Sequence, residues 1–153
     1  MNFWLVKSEG NSYSIDDLKR DKKTAWEGIR NFQARNFMMQ MRKGDPVLFY
    51  HSGSKPMGIF GVAKVASAPH PDETQFGEKS DYYEPRATRE KPVWQCVDIS
   101  YVKTFKEPVT LAEIKADAVL GGIMLAAPGS RLSVQPVSEK HFKHITESLA
   151  RSS

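Results

Sequence analysis

The sequence has a single cysteine and no long apolar run, and both features limit what the protein can be. With only Cys96, the 153-residue chain has no internal disulfide and no set of thiolates for zinc, which favours a reducing compartment. No apolar run approaches the roughly 20 residues of a membrane-spanning helix, and the N-terminus lacks the pattern of a signal peptide. We expect a soluble protein without membrane partners, cytoplasmic or, in a eukaryote, nuclear. The length and the 40% hydrophobic content predict one domain over residues 1–153.

The common catalytic motifs are also missing. There is no G-x-S-x-G elbow, no P-loop, no G-x-G-x-x-G and no H-E-x-x-H. His141 and His144 are three residues apart, but no third metal ligand lies nearby in the sequence. Cys96 lies in an alternating stretch typical of a strand, where a cysteine is usually a small buried side chain rather than a nucleophile paired with His51. The sequence therefore predicts a protein that is not an enzyme, with no catalytic residues, no metal and no cofactor.

Acidic residues are absent between Glu27 and Asp45, inside a basic segment. Residues 19–43 contain eight Lys or Arg against two acids, a formal charge of +6 in a chain whose total is +4. A solvated helix face explains most charge runs, but phosphate contacts need the same clustering. Arg30 and Asn31 fall at a predicted helix start, where free backbone N–H groups and the helix dipole favour an anion.

Hydrophobic periodicity predicts short strands with a few helices between them. Strands are expected at residues 3–6, 46–51, 58–66, 93–105 and 131–134, with a hairpin turn at "SGSKP" and bulges or tight curvature at two glycines, Gly58 and Gly61. Helices are expected after four capping residues, Ser14, Asn31, Thr110 and Ser138, with a basic loop at 19–23 and a long polar loop at 68–92. Strands and helices do not alternate regularly, so we predict an α+β fold, a small curved barrel with flanking helices.

Aromatic and polar side chains occur together in a pattern suited to a flat heterocycle. Stacking on an aromatic ring is worth about 1–3 kcal/mol per base, while hydrogen bonds to the edges supply identity. Trp4 and Trp94 lie in predicted strands and are equally well explained as core. Trp26 precedes a glycine and a basic helix start, so it is the tryptophan most expected to face a ligand.

Several blocks of the sequence resemble the EVE domain family of the PUA-like group. They run in order from Phe3 to about Leu149 and read "FWLVKSEG", "WEGIRNFQARNFM", "KGDPVLFYHS", "GIFGVAKV", "DYYEP", "VWQCVDISYVKTF", "PVTLAEIK" and "SRLSVQPV". The resemblance implies a PUA-like curved β-barrel with short flanking helices and the recognition of modified nucleobases, with modified cytosine in DNA favoured. More distantly, the first block, the Trp26 region and the hairpin blocks are similar to YTH domains, which hold N6-methyladenine in an aromatic cage. In that comparison Trp26 falls where a cage tryptophan would be.

The resemblance also implies a pocket for one base. Trp26 would stack on a base flipped out of a duplex or taken from a single strand, and Glu9 would accept a hydrogen bond from cytosine N4. Arg30 and Arg35 would hold flanking phosphates. Gly10 replaces the proline that the family commonly has after "KSE", which leaves the orientation of Glu9 less restricted. The residues expected to bind the base are Lys7, Ser8, Glu9, Trp26, Arg30, Asn31, Gln33, His51, Ser52, Tyr82, Tyr83, Arg131, Ser133 and Gln135.

Other functions stay open at this point. PUA-like folds serve RNA widely, so a module for modified or structured RNA is the first alternative, and the sequence does not distinguish DNA from RNA as the partner. A nucleic-acid-processing enzyme or a small-metabolite-binding protein is the second. The absence of a nucleophile–base pair or metal set disfavours catalysis, and the sequence identifies no surface for a protein partner.

Overall fold

The chain folds into short helices packed around a strongly bent sheet. The computed structural model describes residues 1–53, 55–128 and 131–152, and no helix within these ranges is long and apolar enough to cross a membrane. The strands are β1 (Phe3–Glu9), β2 (Lys23–Ala25), β3 (Pro46–Ser52), β4 (Gly58–Val65), β5 (His70–Pro71), β6 (Gln95–Cys96), β7 (Asp98–Thr110), β8 (Val134–Val137) and β9 (Arg151–Ser152). The α-helices are α1 (Ile15–Asp21), α2 (Phe32–Gln40), α3 (Leu111–Ala116) and α4 (Glu139–Lys143), the last continuing as a π-helical segment, His144–Leu149. Short 3-10 helices lie at Glu73–Phe76, Ala118–Leu120 and Met124–Ala126.

Most of the strands belong to one mixed sheet. Six of them lie in the order β2-β7-β4-β3-β1-β8, β9 pairs with β7, and β5 pairs with β6 as a separate ribbon. β1 and β3 run parallel, whereas the other pairs in the main sheet are antiparallel. The end of β1 and the end of β2 line the same cavity although three strands separate them in the sheet, so the sheet must curl towards closure. The predicted α+β fold with a curved barrel and flanking helices is confirmed.

The sheet buries apolar side chains on both faces. Along β1, Trp4 and Val6 pack on the side of α1 and α2, whereas Leu5 packs on the side of α3 and α4. Each fully buried Leu, Val or Phe stabilises the fold by about 1.5–3 kcal/mol relative to an exposed one. The two helical layers therefore hold β1 rigidly from both sides, which fixes the position of its polar end.

The capping signals of the sequence are confirmed. Ser14 Oγ accepts from Asp17 N at 3.1 Å while the Asp17 carboxylate accepts from Ser14 N at 2.9 Å, a complete capping box at the start of α1. Side-chain oxygens also cap α2, α3 and α4, supplied by Asn31, Thr110 and Ser138.

The hairpin of β3 and β4 and the bulge expected at Gly61 are confirmed, whereas both ladders pass through Gly58 without a shift in register. The ladder between β4 and β7 shifts register between Ile59 and Gly61, where a Cβ would lie 2.3 Å from the Lys103 carbonyl oxygen. A side chain has no room at that bulge. Ser54, in the predicted turn, lies outside the described residues.

Three predicted boundaries were wrong. The segment expected to be one strand from 93 to 105 is divided: β6 pairs with β5, and β7 runs on to Thr110 through Pro108 because three other strands pair along its length. The strand expected at 131–134 begins only at Val134 and includes Pro136, which is tolerated because β8 lies at the edge of the sheet. The expected basic loop at 19–23 is helix as far as Asp21 and strand from Lys23.

Candidate functional site

A cavity of about 340 Å³ opens between the end of β1 and the segment that follows β2. Its size is near the lower limit of small-molecule sites, which suits one planar ring system rather than a larger ligand. Its lining residues are Lys7, Ser8, Glu9, Tyr13, Thr24, Ala25, Trp26, Glu27, Gly28, Ile29 and Tyr82. Hence five of the predicted base-binding residues, Lys7, Ser8, Glu9, Trp26 and Tyr82, share one recess.

Trp26 belongs both to the hydrophobic core and to the cavity wall. Its side chain is 8% exposed, and its ring meets Phe49 edge to face at 5.6 Å and Tyr13 at 6.3 Å. The backbone N–H of Trp26 donates to the Val97 carbonyl at 2.9 Å. The indole is therefore held in one orientation by packing on the core side, as a stacking surface should be.

The indole Nε1–H of Trp26 has no hydrogen-bond partner among the described residues, although buried N–H groups are almost always paired. Ser100 Oγ is the one fully buried side-chain polar atom there without a partner, so Trp26 Nε1 must contact solvent. The other two indoles are engaged: Trp4 Nε1 donates to Asp45 Oδ2 at 3.0 Å, and Trp94 Nε1 donates to Glu84 Oε1 at 3.2 Å. Trp26 alone of the three offers a donor to a ligand.

Buried Asp72 organises the segment that follows Trp26. Its carboxylate is 1% exposed and accepts from Gly28 N at 2.8 Å, from Arg30 Nη1 at 3.1 Å and from the backbone N–H and hydroxyl of Thr74. Burial raises the pKa of Asp72, but the hydrogen bonds from Thr74, Gly28 and Arg30 outweigh that effect and leave its pKa below the ordinary value. The ionised carboxylate thus fixes this wall of the cavity to the long loop.

Gly28 makes room for Tyr82. Its φ is +87°, and a Cβ there would lie 3.0 Å from the Tyr82 ring. The chain needs glycine here both for the left-handed backbone and for the close approach of the ring. Tyr82 can therefore cover the cavity from the side of the long loop.

Arg30 is fully occupied within the protein. Its five N–H donors go to Asp72, to Thr74 Oγ1, to the Ile29 carbonyl and twice to the Tyr82 carbonyl. These bonds make Arg30 the clamp that holds the Tyr82 loop against the cavity, a different place from the phosphate-facing position expected from the sequence.

Arg35 keeps part of its capacity. Its Nε and one Nη2 hydrogen go to Asn36 Oδ1, and one Nη1 hydrogen goes to the Val93 carbonyl at 2.8 Å. One N–H on each terminal nitrogen remains without a partner among the described residues, so Arg35 can still contact a phosphate.

Two acidic residues, Glu9 and Glu27, line the cavity together with Lys7, whose ammonium lies over the Tyr50 ring at 5.7 Å. Burial lowers the pKa of Lys7, whereas burial and then the charge of Asp72 raise the pKa of Glu27. Burial and the hydrogen bond to Asp21 raise the pKa of Tyr13 to about 12, so its hydroxyl stays neutral. Together with Glu9, these groups offer more acceptors than donors, which favours a ligand edge carrying an amino group.

Several predicted base-binding residues have other positions. His51 is buried, and its Nε2 accepts from Ile15 N at 3.0 Å. Ser52 Oγ donates to the Ser8 carbonyl, the Ser133 carbonyl accepts from Lys7 N, and buried Gln135 donates to the Leu132 carbonyl. These four residues support β1 from the neighbouring strands and the segment leading into β8 and do not line the cavity.

The remaining predicted residues lie at the surface outside the cavity lining. Asn31 caps α2 by accepting from Ala34 N at 2.9 Å, and Gln33 and Arg131 are exposed. Tyr83 is 40% exposed next to Tyr82 but does not reach the recess.

Sequence reasoning missed six residues of the lining. Glu27, Gly28 and Ile29 directly follow Trp26 in the "WEGIRN" block, so proximity along the chain was a usable signal for them. Tyr13 reaches the cavity from the turn after β1, and Thr24 and Ala25 reach it because α1 returns the chain from the end of β1 to β2.

Cys96 lies beside His70 rather than His51. The Sγ atom is 3.7 Å from Nδ1 and 3.8 Å from Nε2, and His70 Nε2 lies 2.9 Å from Asp98 Oδ1. Cys96 is fully buried, and burial raises the pKa of its thiol far above the ordinary value, followed by the charges of Asp72 and Glu27. A thiol in this state is not a nucleophile. Across the described part of the chain, no group of three or more His, Cys, Asp or Glu could hold a metal ion.

A second recess of about 310 Å³ lies between the N-terminus and the start of α4. Trp4 lines it, but its indole N–H is already bonded to Asp45. This second recess thus lacks an indole N–H free to bind a ligand, which the cavity beside Trp26 has.

Comparison with known proteins gives matches over almost the whole chain. The family model for the EVE domain matches residues 2–148. Human thymocyte nuclear protein 1 (THYN1) is 38% identical over 160 residues, which cover 93% of this chain and 71% of the human protein. A crystal structure of a Pseudomonas syringae protein is 41% identical, with a TM-score of 0.90 and coverage of 94% of this chain and 97% of that one. The crystal structure of human THYN1 in complex with 5-methylcytosine-containing DNA is 36% identical, with a TM-score of 0.87 and 95% coverage of both chains. The chain therefore belongs to the EVE domain family.

Proposed function

We propose that this protein recognises a modified cytosine in DNA, holds the base in the cavity beside Trp26 and performs no chemistry on it. The observation that carries the proposal is a base-sized recess lined by Trp26, whose indole N–H contacts solvent, and by two acidic residues, Glu9 and Glu27. The human THYN1 structure with 5-methylcytosine-containing DNA, 36% identical over 95% of both chains, supports the same ligand class.

The cavity offers complementary contacts to each part of the base. Trp26 stacks on the ring, and its Nε1–H, which lies in the plane of the indole, donates to a sugar or phosphate oxygen of the same nucleotide. Glu9 accepts from the N4 amino group, as a carboxylate does when it reads cytosine. Ala25 and Ile29 supply apolar contact for a methyl group at C5. Because a base inside a duplex cannot reach such a recess, the target nucleotide is flipped out or already single-stranded.

The condition of the reactive side chains supports binding without catalysis. The Cys96 thiol is buried with a raised pKa, and the ring nitrogen of His51 that could act as a base is bonded to the α1 backbone. Neither group lines the cavity.

A binding screen tests the proposal. Fluorescence polarisation is measured with matched DNA and RNA strands carrying 5-methylcytosine, 5-hydroxymethylcytosine, N6-methyladenine or no modification, at two salt concentrations. We expect tight binding to DNA with a modified cytosine, weakening with salt but keeping its preference over the unmodified strand. Equal affinity for all strands would refute recognition of a modified base. Tighter binding to RNA than to DNA would show that RNA is the partner, and turnover of the oligonucleotide would refute the non-enzymatic role.

Variants of two tryptophans localise the site. Trp26→Phe removes the open N–H and part of the stacking area, and we expect a loss of about 5- to 50-fold in affinity for the modified strand, within the range of one stacked base. Trp4→Phe is the matched control, since it deletes a buried N–H bonded to Asp45 outside the cavity. It should lower the melting temperature while leaving the preference for modified DNA intact. Unchanged discrimination in a folded Trp26→Phe protein removes Trp26 from the site.

A further inference from the structure

Rings and guanidinium groups form a continuous stack from the cavity to the surface of α2. Arg30 lies 5.3 Å from the Tyr82 ring and 5.2 Å from the Trp94 ring, and Trp94 stacks on Phe32 with a centroid distance of 4.7 Å and an interplanar angle of 20°. Tyr82 lines the cavity at one end of this series. Phe32, at the other end, is 48% exposed.

The outer face of Phe32 is open. The Arg35 guanidinium lies 4.8 Å from the Phe32 ring and 5.9 Å from the Trp94 ring. Since the two rings are 4.7 Å apart, these distances place Arg35 beside the stacked pair and not on the outer face of Phe32. The inner face rests on Trp94, which is 5% exposed and fixed through its Nε1 to Glu84. Phe32 is thus a rigid, backed ring with one free face.

The residues of α2 and of the segment before it favour an anionic partner. No acidic residue occurs in residues 28–44, and Arg35 keeps two N–H donors without partners among the described residues. A free aromatic face beside a guanidinium with open donors matches a nucleotide, which has a ring to stack and a phosphate to pair. An apolar protein surface would leave those donors unpaired at a cost.

We propose that Phe32 is a second stacking platform, which binds a base of the same strand that flanks the base held beside Trp26, while Arg35 contacts the intervening phosphate. This proposal rests on the proposed function, which supplies the DNA strand. The platform itself can stack on any base because every base has a ring face. It therefore adds affinity without adding preference for the modification.

An abasic scan tests the platform. Single-stranded DNA with one 5-methylcytosine is prepared with an abasic residue at each of the two positions on either side, and affinities are measured for the native protein and for Phe32→Ala. We expect one abasic position to weaken the native protein by about 5- to 50-fold, the range of base–aromatic stacking. Phe32→Ala should lose a similar factor with the intact strand and show no further loss at that position.

Two variants control for folding and surface effects. Met39→Ala changes a side chain of similar exposure, 51%, on the same helix and should bind like the native protein. Phe32→Trp keeps a ring and should restore binding and sensitivity to the abasic position. Native-like binding by Phe32→Ala, or additive losses from the variant and the abasic residue, overturns the platform. In either case a retained preference of the native protein for modified DNA leaves the proposed function standing. If the losses from Phe32→Ala and from the abasic residue are not additive but the native protein shows no preference for modified DNA, the platform is supported and the proposed function is refuted.

Discussion

The three tryptophans differ in the contacts of one atom, the indole nitrogen. Trp4 and Trp94 use their indole N–H in structural hydrogen bonds, and Trp26 does not. In the empty protein the Trp26 N–H contacts solvent, so an acceptor on a ligand can take the place of water there. At the residue scale, the candidate site is marked by one indole N–H that the protein leaves without a hydrogen-bond acceptor, whereas the other two indole N–H groups are bonded.

Gly28 gives a residue-scale prediction. Gly28→Ala puts a Cβ 3.0 Å from the Tyr82 ring on a backbone with φ of +87°, so it must both strain the chain and displace the ring. We expect a loss of about 1–3 kcal/mol in the free energy of unfolding, as for other residues held in unfavourable backbone regions, and weaker binding of modified DNA. Urea denaturation and fluorescence polarisation measure the two effects.

Gly44 provides the matched control for that change. Its φ is +98°, but nothing lies within 4 Å of the point that a Cβ would occupy, so Gly44→Ala imposes the backbone strain without the clash. It should lose stability and keep its affinity. Equal binding by the two variants would show that Tyr82 does not need its present position.

At the scale of elements, two arginines, one in the segment before α2 and one in α2 itself, have different roles. Arg30 ties residues 26–30 to the long loop, whereas Arg35 projects from the first turns of α2 with donors to spare. Both were expected from the sequence to hold phosphate. Only the neighbours of each arginine, which distant elements contribute, show that Arg30 holds the long loop in place whereas Arg35 keeps N–H donors for a ligand.

The two arginines should respond differently to substitution. Arg30→Gln leaves Asp72, 1% exposed, without its cationic partner, and we expect it to lose about 2–4 kcal/mol of unfolding free energy. Arg35→Gln should leave stability nearly unchanged and reduce the slope of log affinity against log salt by about 1, as the loss of one phosphate contact does. Denaturation curves and a salt titration check both, and an unchanged slope for Arg35→Gln would exclude the phosphate contact.

At the scale of the whole molecule, His51 couples the sheet to α1. Its ring stacks on Phe60 at 4.0 Å, and its Nε2 accepts from Ile15 N, the first residue of α1. Burial lowers the pKa of His51, and the nearby charges of Asp16 and Asp17 only partly oppose this. The neutral ring is therefore part of the folded state and helps to hold the loop that carries Tyr13 to the cavity.

This coupling predicts acid sensitivity. Below the ordinary histidine pKa of about 6.5, the unfolded chain takes up a proton that the folded chain does not, so the free energy of unfolding must fall as pH decreases, by at most about 1.4 kcal/mol per pH unit from this group. His51→Gln retains an acceptor for Ile15 N and does not titrate. We expect the stability difference between the two proteins, measured by urea denaturation at about pH 7.5, 6.5 and 5.5, to shift in favour of the variant as pH falls. Parallel pH profiles would contradict the assignment.

The local signals of the chain determined most of its elements and part of its candidate site. The capping residues Ser14, Asn31, Thr110 and Ser138 placed the helices, and apolar alternation placed the β3–β4 hairpin, because caps and periodicity act within a few residues. The surroundings of Trp26 in the sequence singled it out from the other tryptophans for the same reason.

Only the tertiary structure decided which side chains share the cavity. β1 and β2 are separated by three strands in the sheet, and curvature brings Glu9 and Trp26 to one recess while His51 and Gln135 remain buried behind it. The occupation of Arg30 by Asp72 and Tyr82 likewise depends on residues more than 40 positions away. Such contacts are set by the closure of the sheet and by the packing of the long loop, which no short-range pattern in the sequence encodes.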